Sequence, residues 1–97
     1  MPEMHFDIRW PDGREERCYS PSLVVHEHLQ VGADYALPDF ITRVTTALNI
    51  ASERVRAKYG FACSRALDQL NAIEISARNH APDRRVQVLA FDPPELP

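Results

Sequence analysis

The sequence predicts a two-layer α+β domain, and three observations predict it. A strictly alternating segment opens the chain. A Pro-Asp-Gly turn folds it back onto a second extended segment. Two long amphipathic stretches then precede a short β-branched run near the C-terminus. The expected arrangement is an N-terminal β-hairpin, a short helix, two long helices and a C-terminal strand that completes a small sheet, with the helices on one face. No linker, internal repeat or low-complexity segment divides the chain. Residues 1–92 are therefore read as one domain and the Pro-rich segment 93–97 as a flexible tail.

Between Glu3 and Trp10, the residues Met4, Phe6, Ile8 and Trp10 point one way and His5, Asp7 and Arg9 the other, the period of a half-buried strand. Pro11-Asp12-Gly13 supplies the turn: proline fixes φ and glycine accepts a positive one. Arg14 to Tyr19 forms the second strand, and its charged start, Arg14-Glu15-Glu16-Arg17, marks an exposed or edge position. Ser20-Pro21-Ser22 has the form of a helix start, and Leu23 to Val31 then makes two turns closing at Gly32. The competing reading is a third strand, because Val24-Val25 favours sheet. The choice decides the fate of His26 and His28, which share a face on a strand but diverge by about 200° on a helix. No third ligand lies nearby, so the pair is read as two solvent-facing histidines, with no metal and no cofactor expected.

The longest element begins at Leu37 and ends at Gly60. Phe40, Ile41, Val44, Leu48, Ala51, Val55 and Tyr59 recur at three- and four-residue steps and fall on one helical face. Thr42, Thr45, Thr46, Asn49, Ser52, Glu53 and Arg56 occupy the face turned to water. Pro38 suits the first helical position, and Asp39 places negative charge at the positive end of the helix dipole. Gly60 is expected in the left-handed conformation that stops a helix, with Phe61 folding back onto Val55. A second helix follows from about Ser64 to Asn79, its core stripe Ala66, Leu70, Ile73 and Ala77 flanked by Cys63 and Leu67. His80-Ala81-Pro82 ends it, since the residue before proline resists helix. Arg85 to Phe91 is the last strand. Strand order is not legible from the sequence.

The composition narrows the function. A formal charge of −3 argues against nucleic acid or an acidic membrane surface as the main partner. No apolar run approaches the roughly 20 residues of a membrane span, and the N-terminus lacks the basic and long apolar regions of a signal peptide. A cytoplasmic protein is expected. Cys18 and Cys63 show no CxxC spacing and are read as reduced thiols. The GxSxG, P-loop, GxGxxG and HExxH patterns are all missing from the sequence. One enzymatic alternative is specific. Removal of Met1 would leave Pro2 as an N-terminal secondary amine opening into a strand, the device of small tautomerases, although here a hairpin follows the strand in place of their long helix.

WPDG at 10–13, CYSPS at 18–22 and IASERVRAKYGFACSRALDQL at 50–70 resemble a family of small bacterial nitrogen-starvation-response proteins found in nitrilase gene clusters. The resemblance covers nearly the whole chain. It implies a setting of nitrogen limitation, with gene neighbours that include a radical-type enzyme, an acetyltransferase and a flavin-dependent oxygenase. It implies no catalytic residues.

Two sets of residues remain as candidates. Arg43, Arg54 and Lys58 form a stripe beside the apolar face of the first long helix, with Ala47 and Ile50 between them; Arg65 extends it from the second. The stripe is a candidate contact for an anion or a partner, against the alternative of a solvated edge whose long side chains cover apolar surface. Ile75 lies about 180° from the core stripe of its helix, and Ile50 widens the apolar band of the other. These two are the candidate interface residues, most simply for a two-fold homodimer. The sequence is thus read as a non-enzymatic accessory or regulatory protein that binds itself or a protein of the nitrilase cluster, the alternative being a small-ligand-binding or catalytic domain.

Overall fold

The structure is a computed structural model that describes residues 2–95. Residues 96 and 97 of the expected tail, and Met1, lie outside that range. Strands β1 (Met4–Arg9) and β2 (Glu15–Ser20) form the hairpin. Its turn closes through Gly13 N–H donating to Trp10 O at 2.9 Å and Trp10 N–H to Arg14 O at 2.8 Å. Gly13 takes φ +90°, and the Asp12 carboxylate accepts from Arg14 N–H at 3.0 Å, so each turn residue does what its chemistry suits it for.

A short 3-10 helix, Leu23–Glu27, follows, capped by Ser22, whose Oγ accepts from Val24 N–H. It is helix, as the serine cap suggested, but shorter than the two turns expected. The β-branched pair Val24-Val25 is buried, and after one tight turn Leu29 also enters the core. The chain then reverses at Gly32 (φ +88°) into an element the sequence reading missed, the three-residue strand β3 (Asp34–Ala36). Three residues are too few for alternation to show as a pattern. Helix α1 (Leu37–Tyr59) ends at Gly60 with φ +87°, as its sequence anticipated. Helix α2 (Ser64–Ala77) packs against it, and β4 (Arg85–Asp92) closes the sheet.

The sheet order is β2-β1-β4-β3, antiparallel throughout, so the first and last long strands are central neighbours. Pairing of β1 with β4 slips between Asp7, opposite Ala90, and Ile8, opposite Val88, which leaves Leu89 as an extra residue. This bulge brings Phe91 onto the same face as Val86 and Val88, where simple alternation would have turned it away. All three are buried against Met4, Phe6, Ile8 and Trp10 beneath the helices.

Trp10 ties the layers together. Its indole N–H donates to Glu16 Oε1 at 2.9 Å, its ring meets Phe40 edge-on, and His80 stacks on it with centroids 5.6 Å apart. The solvent face of the sheet is a lattice of charge: Arg9 bonds Glu15 and Gln87, and Arg17 bridges Asp7 and Asp92.

Three details of the helical reading are corrected. Ser52, assigned to water, is buried, because it shares the flank of Ile41 and Leu48 against which α2 packs, and a small side chain suits a close helix contact. Tyr59 and Phe61, assigned to the core side, are 53% and 69% exposed; α1 runs past the edge of the layer beneath it, so its last turn has nothing to cover. Leu67 is likewise exposed on α2.

Candidate functional site

The basic stripe proves to be divided between two tasks. On α1, Arg43 and Arg54 face the flank where the 3-10 helix docks. Arg43 donates to Asp39 at 3.0 Å and to the carbonyl of His28 at 3.1 Å, and its guanidinium lies 4.7 Å from the Tyr35 ring. Arg54 donates to Ser22 Oγ at 2.9 Å, with Glu27 at 3.9 Å. Together they clasp the beginning and end of the 3-10 helix: Arg54 holds its N-cap hydroxyl, and Arg43 satisfies the carbonyl of its C-cap residue. Lys58 and Arg65 lie at the other end of the stripe, where α1 turns into α2. Lys58 Nζ sits 5.5 Å from the ring of Tyr59, and the Arg65 guanidinium lies 3.7 Å from the ring of Tyr19. Neither forms an ion pair among the described residues.

The two candidate interface residues also part company. Ile75 is 51% exposed on the outer side of α2. Ile50 is half-buried and packs against the core, its free edge lining a shallow apolar groove with Asn49, Glu53, Arg54 and Ala57. Large exposed apolar side chains concentrate on the helical hairpin: Tyr59, Phe61, Leu67 and Ile75 lie there, and Val31 lies in the loop before β3. The sequence reading found Ile75 from its helical angle. Phe61 and Leu67 escape it because each has an apolar neighbour within reach along the sequence, Val55 for the first and the core stripe of α2 for the second.

An open cleft of about 500 Å³ lies between the start of α1 and the end of α2, lined by Leu37, Pro38, Ile41, Glu74, Ala77, Arg78, His80 and Pro82. Its walls are mainly apolar, and no nucleophile with an adjacent base faces it. Pro2 is exposed at the end of the sheet. His26 is not free in solvent as read: its Nε2 is 3.1 Å from the carbonyl of Pro93, and its ring meets Phe91 at 4.6 Å, which ties the start of the tail to the 3-10 helix. No group of three or more metal-ligating side chains converges among the described residues, and no helix there is long and apolar enough to cross a membrane.

The two cysteines differ sharply. Cys18 is buried in the sheet, and burial, reinforced by Glu16 and Asp7, pushes its thiol pKa far up. Such a thiol makes a poor nucleophile. Cys63 precedes α2 and is partly accessible. Tyr19, between the sheet and Arg65, has its phenol pushed up to about 12, by desolvation first and then by the hydrogen bond its hydroxyl donates to Glu3.

A family model described as nitrogen starvation-induced protein NitG matches residues 5–91, from within β1 to within β4. The chain belongs to that family. The match takes in the hairpin, the 3-10 helix, β3 and both long helices, so the whole fold, including the exposed α1–α2 hairpin, is the NitG domain. No curated protein and no solved structure matched the chain.

Proposed function

We propose that this member of the NitG family is a non-enzymatic accessory or regulatory protein of a nitrilase-associated nitrogen-starvation pathway, acting in the cytoplasm by binding another protein. The observation that carries the reading is the concentration of exposed apolar side chains, Tyr59, Phe61, Leu67 and Ile75, on one helical hairpin. A sheet face neutralised by its own ion pairs offers a partner little. A helical hairpin with four large uncovered apolar groups offers area whose burial is worth roughly 25 cal/mol per Å². The starvation setting is supported by the family match.

The same surface supports a two-fold homodimer about the outer side of α2. Ile75 is the residue to test. Ile50 packs against the core, so a charge placed there would unsettle the fold as well as any interface. Light scattering across a dilution series should show a dimer for the parent and a monomer for Ile75→Glu whose circular dichroism is still that of the folded protein. A parent that is monomeric at every concentration rules out the homodimer. Capture from nitrogen-starved cells then asks for the second partner, and a parent that captures no nitrilase-cluster protein removes that part of the proposal.

One observation favours the alternative of a small-ligand domain: the apolar cleft beside His80 lies within the size range of ligand pockets. Its mouth is open and its walls are mainly apolar, which is why protein binding is preferred.

A further inference from the structure

The protein-binding reading leaves the chemistry of the partner unspecified, and the tip of the helical hairpin narrows it. Although the whole chain carries −3, residues 54–67 contain four basic side chains and no acidic one. Two of the four are used internally: Arg54 clasps Ser22, and Arg56 pairs with Glu53 at 2.9 Å. Lys58 and Arg65 remain without a carboxylate among the described residues. Both are held against tyrosine rings, and Arg65 lies 3.7 Å over Tyr19, the geometry of a guanidinium fixed in place by cation–π stacking. The nearby Glu3 is engaged by the Tyr19 hydroxyl at 2.9 Å. A stacked guanidinium keeps its edge N–H donors free, and those donors match a carboxylate bidentately. The same segment carries Phe61, 69% exposed, in the turn, and Leu67, 44% exposed, on α2.

We propose that the tip of the α1–α2 hairpin, from Lys58 to Leu67, binds an acidic, apolar segment of a partner protein, with carboxylates meeting Lys58 and Arg65 and apolar side chains covering Phe61 and Leu67. This rests on the protein-binding reading and gives its partner a chemistry. Nucleic acid fits the tip less well, because affinity there grows with the number of phosphates neutralised and two cations neutralise few. An anionic membrane fits less well too, since two basic residues add only a weak surface attraction.

The test is fluorescence anisotropy of a labelled twelve-residue peptide alternating Glu with Leu and Phe. Controls are the same peptide with Lys for Glu, vesicles of phosphatidylcholine with phosphatidylserine, and a single-stranded oligonucleotide. The acidic peptide should bind more tightly than every control. The double variant Lys58→Glu, Arg65→Glu and, separately, Phe61→Ser should each weaken it by about tenfold or more, the scale of losing a charge-assisted contact. Phe61 is so exposed that its variant keeps the test open should the double variant fail to fold. No binding of the acidic peptide at millimolar concentration, equal binding by the variants, or tighter binding of the lysine peptide, vesicles or oligonucleotide overturns the proposal. If tip variants still capture the same cellular proteins as the parent, protein binding stands and only the tip's role falls. A parent that captures nothing counts against the broader reading, and the peptide still decides the tip.

Discussion

Leu48 and Ile75 make a matched test of which helical surfaces are inside. Leu48 is fully buried on α1, in the core shared with Val44, Leu70 and Ile73. Truncation to alanine forfeits about 2.4 kcal/mol at ~0.8 kcal/mol per buried methylene-sized group. A cavity cost comes on top, because α1 is held between the sheet, α2 and the 3-10 helix and cannot easily close the gap. A total of about 3 kcal/mol follows. In a domain of this size each kcal/mol moves Tm by about 4–8 °C, so the midpoint should fall by roughly 12–24 °C. Ile75→Ala, on the exposed side of α2, should change the monomer's stability by less than about 0.5 kcal/mol. Urea titrations of both variants, followed by circular dichroism at a concentration where the protein is monomeric, give the two free energies directly. A loss below about 0.5 kcal/mol at Leu48, or a loss comparable to it at Ile75, would refute the assignment of faces.

Three further expectations concern the backbone and the titrating groups. Gly60→Ala should cost about 1 kcal/mol and Gly60→Val more; a Cβ there meets no atom within 4 Å, so the cost is the positive φ alone, read by thermal melting. In the native protein a thiol reagent such as DTNB should modify Cys63 and leave Cys18 untouched until denaturant is added; rapid reaction of both would contradict the burial of Cys18. Tyr19 should ionise above the ordinary range of a tyrosine phenol. Its folded pKa, about 12, lies above the ordinary value of 10, so its contribution to stability is intact below pH 10 and is lost as pH rises toward 12. Ultraviolet titration should show that step, and Glu3→Gln should move it down.

Much of the architecture was legible because each long element repeats its pattern. The hairpin carried a full alternation and a turn with all its chemistry, and α1 carried six turns of apolar period with a glycine stop. What escaped was what depends on neighbours distant in sequence. Strand β3 exists because β4 offers it an edge, and Phe91 reaches the core because β1 forces a bulge at Leu89. Ser52 is buried by α2, and Phe61 is exposed because the layer beneath α1 ends short of it. The candidate residues follow the same rule. The helical angle of Ile75 sufficed to place it outside. The arginine stripe could not be divided from sequence, because Arg43 and Arg54 are claimed by a 3-10 helix whose docking site is a tertiary fact.

The central claim is that the exposed hairpin face is a protein-binding surface. Its most direct test is affinity capture from nitrogen-starved cells with the parent and with a variant carrying Phe61→Ser, Leu67→Ser and Ile75→Ser, after matching melting curves show that both are folded. The parent should retain a defined partner that the variant loses. Capture of the same partner by both proteins, or of none by the parent, would contradict the claim.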